Sequence, residues 1–180
     1  MVYVFLADGF EEVEALTPVD YLRRCEVPVQ TIGVRGKMVR GSHGITVIAD
    51  GTMYDVDVEQ IEMIVLPGGL PGTINLEKSH LLQNVVDYCV EKGIPIGAIC
   101  AAPSILGHKA LLDGRKATCA FGFEKELGAA EYTGAAAETD GPFITGRGAG
   151  AANEFAFALT EYLLGKERAD KLAASVRWRM

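Results

Sequence analysis

The chain has 180 residues, of which 49% are hydrophobic and 23% charged, and its formal net charge is −7. Such a length predicts one domain over residues 1–180 with a core of its own, and the acidic balance speaks against a nucleic-acid-binding surface. No apolar run approaches the ~20 residues of a membrane helix, and MVYVFLADGF carries no basic segment ahead of an apolar one, so a cytoplasmic protein is expected.

The first predicted strand is VYVFLA, from Val2. A helix should follow over EEVEALTPVDYLRRC. Pro18 lies inside that pattern, so the helix either kinks there or restarts with Thr17 as its N-cap. PVQTIGV reads as the second strand. The stretch VRGSHGITVIADGTMYDV is strand-like but rich in turn residues, which suggests a hairpin excursion. MIVLPGG begins with another strand. Leu81, Leu82, Val85, Val86 and Cys89 then recur at helical spacing. PIGAIC reads as a strand, and KATC and PFITG as shorter ones. Phe155, Leu159, Tyr162 and Leu163 mark a helix, and Leu172 and Val176 a last short one. Several strands are continuously apolar, as strands covered on both faces are. The alternation of strand and helix predicts an α/β fold: a mostly parallel sheet with helices on both faces.

Ligands of such folds bind beyond the carboxyl ends of the strands. FLADGFEEVE, VLPGGLPG and GAICAAPS all lie where a strand ends, so three loops can meet at one edge of the sheet. In the last of them, Ala98-Ile99-Cys100-Ala101-Ala102 sets a potential nucleophile between small residues, as a sharp strand-to-helix turn requires. There the N-terminus of the next helix would favour thiolate over thiol, and the amide of Ala101 can donate to a developing oxyanion. The competing reading is a small buried core cysteine. Cys89 falls on the apolar face of a predicted helix, Cys25 at a helix end and Cys119 in a short strand, all structural places. The four cysteines form no CxxC pair and the three histidines are scattered, so reduced thiols and no metal site are expected.

VLPGG is either a plain tight turn or a loop whose Gly69 amide is a second oxyanion donor; without a following Lys-Ser/Thr it is no phosphate loop. In GFEEVEA, Glu11 and Glu12 suit a helix start, where they complement the dipole. Glu14 lies between Val13 and Ala15 and is placed to turn inward. A buried glutamate beside a thiol would have its pKa raised by desolvation, and its protonated form could donate to a thiolate.

Taken together, GFEEVEA…PVDYLRR, VLPGG, AICAAP and the downstream GRGAG…EFA resemble the ThiJ/PfpI superfamily, in the branch of the parkinsonism-associated redox protein and its bacterial relatives. The resemblance runs over almost the whole chain, in order. It implies a flavodoxin-like three-layer sandwich and a homodimer that needs no cofactor. It implies Cys100 as the reactive cysteine, Glu14 as its partner acid, and the amides of Gly69 and Ala101 as oxyanion donors. It also implies glyoxalase or deglycase chemistry on 2-oxoaldehydes such as methylglyoxal or on glycated proteins, or alternatively a redox-sensing or chaperone-like role for a cysteine oxidised to sulfinate. The peptidase branch has histidine directly after the cysteine; Ala101 stands there, which speaks against a Cys-His peptidase or amidase. A histidine found in some relatives near the position of Ala120 is absent too. GSHG resembles a family loop near the dimer seam, which makes His43 a candidate to act across the interface.

Overall fold

The computed structural model describes residues 1–178. In chain order the elements are β1 (Val2–Leu6), α1 (Glu12–Arg24), β2 (Val29–Gly33), β3 (Met38–Arg40), β4 (Thr46–Ile48), β5 (Gly51–Thr52) and β6 (Met63–Leu66). Then come α2 (Gly72–Glu77), α3 (His80–Lys92), β7 (Ile96–Ile99), α4 (Pro103–His108), β8 (Lys116–Ala117) and β9 (Glu131–Tyr132). The last are β10 (Ala137–Asp140), β11 (Phe143–Gly146), α5 (Ala152–Leu164) and α6 (Lys166–Ser175).

Seven strands form the main sheet in the order β10-β11-β7-β6-β1-β2-β5. All neighbours run parallel except β10 and β11. Because side chains alternate along a strand, β1 feeds two separate cores. Tyr3 and Phe5 join Leu82, Val86 and Ile105 on one face, while Val2, Val4 and Leu6 join Val19, Leu22, Phe155 and Leu159 on the other. The result is the flavodoxin-like three-layer sandwich. Among the described residues, no helix is long and apolar enough to cross a membrane.

The helix over Glu12–Arg24 runs through Pro18 without restarting, and Pro18 is buried on its inner face. The excursion after β2 is a hairpin, β3 against β4, separate from the main sheet. Strand β10 was not apparent from the sequence, because AETD is polar and faces partly outward as an edge strand. α2 does not show in the sequence, since six residues are too few for a helical period; α4, the helix expected directly after Cys100, is equally short.

From β1 the chain steps to β2 on one side, and it later resumes at β6 on the other. The crevice beyond the carboxyl ends of β1 and β6 is therefore the switch point of the sheet, where ligands of such folds sit. The loops after β1, β6 and β7, three adjacent strands, all open there.

Candidate active site around Cys100

Cys100 directly follows β7 and has φ +66, the left-handed backbone that a side chain seldom adopts. It is pinned on both sides: its N–H donates to the Gly146 carbonyl at 2.8 Å, and its carbonyl accepts from the Ala120 amide at 2.8 Å. α4 begins three residues later with Pro103 in its first turn. The turn thus has the sharp strand-to-helix form read from AICAAP. Of the four free cysteines only Cys100 is not buried.

Glu14 sits in the first turn of α1 on the face that meets the sheet, and it is 1% exposed. Its Oε2 accepts from the Gly68 amide at 3.0 Å. Its Oε1 is buried without a well-formed hydrogen bond, and the groups acting on the carboxyl include the Cys100 thiol and the Ala149 amide. Gly148 lies beside both: a Cβ there would come within 4.0 Å of the Cys100 sulfur and within 4.0 Å of Glu14 Oε1. GRGAG therefore closes the site from the far side, a part that its sequence alone did not assign.

The two glycines of VLPGG have different reasons. Gly69 has φ +88, the natural region for glycine. Gly68 is there for space: a Cβ would lie 2.6 Å from the Cys100 Cβ, 2.6 Å from Glu14 Oε2 and 2.8 Å from the Ile99 carbonyl oxygen. VLPGG pointed to Gly69, but Gly68 is the residue that lets the three loops close.

Electrostatics ties the two side chains into one unit. Burial, aided by the charge of Glu11, pushes Glu14 up to about 7. Burial, then the charge of Glu14 and its hydrogen bond, push the Cys100 thiol up to about 12, against the pull of the Gly69 and Ala101 amides. This corrects the expectation of a thiol depressed by the turn. The helix behind it is short, and burial together with an ionised carboxyl beside the sulfur outweighs two amides. The correction has a condition attached. When the proton sits on Glu14, the repulsion is gone and the carboxyl becomes a donor, while the two amides still face the sulfur. The pair titrates as a couple that shelters one negative charge. Burial alone pushes Cys89 up to about 12, and Cys119 reaches about 12 through burial and Glu124.

Glu12 does not point to solvent as a dipole partner would; it is 4% exposed. Its Oε1 accepts the amides of His43 at 2.9 Å and Ile45 at 3.3 Å, so it staples the hairpin to α1. His43 Nδ1 lies 3.0 Å from both Glu11 Oε2 and Glu12 Oε2, and 3.1 Å from Ser42 Oγ. The hydrogen bond to Glu12 and the two carboxylate charges raise the imidazole pKa. Glu12 itself is held below the usual range; burial opposes this, but its own amide, the His43 ring and the two hairpin amides outweigh it. Within one chain His43 thus belongs to the Glu11–Glu12 cluster, and it is not among the groups that act on the thiol.

Comparison with known proteins fits this geometry. The model of the DJ-1/PfpI family matches residues 1–162. Protein DJ-1 homolog B of Arabidopsis thaliana is 38% identical over 171 residues, covering 93% of this chain and 39% of that protein, so the chain spans about two fifths of that relative. The Parkinson disease protein 7 homolog of Danio rerio is 35% identical over 177 residues, covering 95% of this chain and 93% of that protein. A deglycase of Thermococcus kodakarensis is 29% identical over 149 residues, 81% of this chain and 89% of that protein. The solved structure of Toxoplasma gondii DJ-1, described as oxidised, superposes with a TM-score of 0.94 at 33% identity, covering 99% of this chain and 98% of that one. The chain belongs to the DJ-1/PfpI family.

Proposed function

We propose that the protein is a cysteine-dependent enzyme acting on 2-oxoaldehydes, methylglyoxal foremost, or on their adducts. The observation that carries this is the buried Glu14 carboxyl against the thiol of the one cysteine that is not buried. With the proton on Glu14, the Cys100 thiolate adds to the aldehyde carbon and forms a C–S bond. The oxygen of the hemithioacetal gathers negative charge facing the amides of Gly69 and Ala101, the arrangement that stabilises oxyanions. Glu14 gives its proton to that oxygen and, now a carboxylate, takes the proton from the former aldehyde carbon and returns it to the neighbouring carbonyl carbon, while the hydroxyl proton passes to that carbon's oxygen. This gives a thioester of lactic acid, and water cleaves it to lactate and the free thiol. The sum is methylglyoxal plus water to lactate, with no outside oxidant or reductant. The name of the Thermococcus relative supports the extension to glycated substrates.

The active form is proposed to be a homodimer. Val13 and Leu16 on the outer face of α1, and Met38, Ile45 and Ile48 on the hairpin, are all exposed, an apolar surface of the kind that a second copy covers.

A second reading draws on the oxidised state of the Toxoplasma relative: Cys100 as a redox sensor whose sulfinate is held by Glu14. Lactate production from methylglyoxal separates the two. The enzyme reading expects turnover, its loss in Cys100→Ala, a drop of ~10²-fold or more in Glu14→Gln, the usual worth of general acid–base help, and little change in Glu12→Gln. No lactate from the wild type, together with ready peroxide oxidation of Cys100, selects the sensor.

A further inference from the structure

Between Ala120 and Leu127 the chain forms a strap that, among the described residues, a single hydrogen bond ties to another segment. The strap starts at Ala120, whose amide holds the Cys100 carbonyl at 2.8 Å, and it regains the core at Leu127, which is fully buried. No residue from Phe121 to Glu126 is buried, and Phe121 is 95% exposed. Its backbone amides bond locally: Phe123 donates to the Ala120 carbonyl, Glu126 to the Phe123 carbonyl, and Gly122 to the Glu124 carboxylate.

The one outward tie runs to His108, the last residue of α4: Nε2 lies 2.9 Å from Glu126 Oε2. The other ring nitrogen is engaged as well, with Nδ1 2.5 Å from Glu77 Oε1 at the end of α2. Two ring nitrogens against two carboxylates is the arrangement of the imidazolium, which alone carries a proton for each. The hydrogen bonds to Glu77 and Glu126 raise the pKa of the ring, and the two charges add to them against some desolvation. Lys109, next in the chain, is engaged by Asp87 of α3, and the pocket wall around the ring carries no lysine or arginine. Gly107 makes the closed position possible, since a Cβ there would collide with the Glu126 carbonyl oxygen.

Loss of one proton must break one of the two links. The neutral ring keeps a single N–H, and its other nitrogen turns a lone pair toward a carboxylate. Glu77 is fixed by its helix, whose Leu76 is fully buried. The strap has only Phe123 and Leu127 against the core, so the strap is the partner that yields. We propose that His108 is a proton-operated latch: the imidazolium holds Glu126, and with it the Phe121–Glu126 strap, against α4, and loss of the Nε2 proton to solvent frees the strap. The latch is closed at low pH and opens as pH rises through the pKa of the ring. Gly122, Phe123 and Glu126 line a pocket of about 270 Å³ beside the Cys100 turn. Release therefore opens that side and loosens one of the two hydrogen bonds that pin the Cys100 backbone. As control of catalysis this rests on the aldehyde reading of Cys100; as a latch it does not.

The test is amide hydrogen exchange on the full chain, so it does not depend on turnover. Protection of the Ala120 and Glu126 amides, corrected for the intrinsic pH dependence of exchange, should fall about three-fold between pH 5.5 and 8.5, the scale of one solvent-screened ion pair. Both partners of that pair are about half open to solvent. His108→Gln, which has no charge to offer, should show the low protection at both pH values. His108→Lys, which keeps a cation, should show the high protection at both. In the wild type, the carbon-bound ring proton of His108, followed by NMR, should titrate with the same midpoint as the strap amides. Constant protection in the wild type, a pH change that survives in His108→Gln, or a strap midpoint apart from that of the ring overturns the proposal. The midpoint comparison decides alone if a variant does not fold. If the wild type makes no lactate, the aldehyde reading falls while the exchange result stands on its own.

Discussion

Replacing Glu14 by Gln should make the protein more stable at pH 8 than the wild type, relative to their order at pH 5. The Gly68 amide keeps its acceptor and the shape hardly changes, but the titrating proton is gone. The folded chain holds the Glu14 proton up to about pH 7, whereas the carboxyl ordinarily releases it near 4.5. Below pH 4.5 the folded and unfolded chains both carry the proton, and its contribution is complete. Between 4.5 and 7 the unfolded chain has released it and the folded chain has not, so stability falls as pH rises; above 7 the loss is complete. The gap of 2.5 units between those two values, at 1.36 kcal/mol each, makes the swing about 3 kcal/mol. In a chain of this length that is on the order of 10 °C in Tm. Urea unfolding of both proteins at pH 5, 6, 7 and 8 gives the difference curve directly. Groups away from Glu14 titrate alike in both and cancel, and Cys100, which is coupled to Glu14, is replaced by Ala in both proteins. A difference curve flat to within about 0.5 kcal/mol over that range would refute the claim that Glu14 is held protonated by its burial.

Limited alkylation with iodoacetamide near pH 6 should label Cys100 first, since Cys25, Cys89 and Cys119 are buried; peptide mapping that finds Cys25 or Cys119 ahead of it contradicts the site. Gly68→Ala should abolish methylglyoxal turnover and cost about 1–3 kcal/mol through overpacking, because its Cβ would sit 2.6 Å from both the Cys100 Cβ and Glu14 Oε2; wild-type turnover in that variant would show that the three loops do not close as described. Sedimentation should find two chains per particle, and Ile45→Glu on the exposed hairpin should shift the particles toward one chain; a wild-type mass near that of one chain at micromolar concentration removes the dimer.

Much of this was legible in the sequence because the pattern that makes the fold also places the site. Continuously apolar strands such as MIVL and IGAI can only be covered on both faces, and that arrangement puts every strand-to-helix loop at one edge. AICAAP could therefore be assigned to a tight turn, and Glu14 to the inner face of its helix, before any coordinates. What escaped reading was set by crossings between distant segments. Nothing near Glu12 in sequence says that its carboxyl will be filled by the amides of His43 and Ile45, some thirty residues on. Gly68 and Gly69 look alike in VLPGG; only the approach of Cys100 and Glu14 from two other loops tells which glycine is needed for space and which for its backbone angle. The sign of the thiol shift escaped for the same reason. The helix behind Cys100 is visible in the sequence, but the burial of the thiol, the larger cause, and the carboxyl in front of it, from a residue 86 positions earlier, are set by the meeting of distant segments.

The backbone of Cys100 bears on the choice between a reactive cysteine and a small core residue. A non-glycine residue in the left-handed region costs roughly 1–2 kcal/mol, and such strain persists where the surroundings overdetermine it. Packing does not ask for it: Cys89 and Cys119 are fully buried and neither has a positive φ. At position 100 the strained angle is fixed by hydrogen bonds from two other segments, through the Gly146 carbonyl and the Ala120 amide. Glycine would take that angle without strain, and alanine would fill nearly the same space, but neither offers a sulfur. A turn that could have been made more cheaply without a thiol, but whose thiol faces two amides and a buried carboxyl, is better explained by what the sulfur does than by the volume it fills.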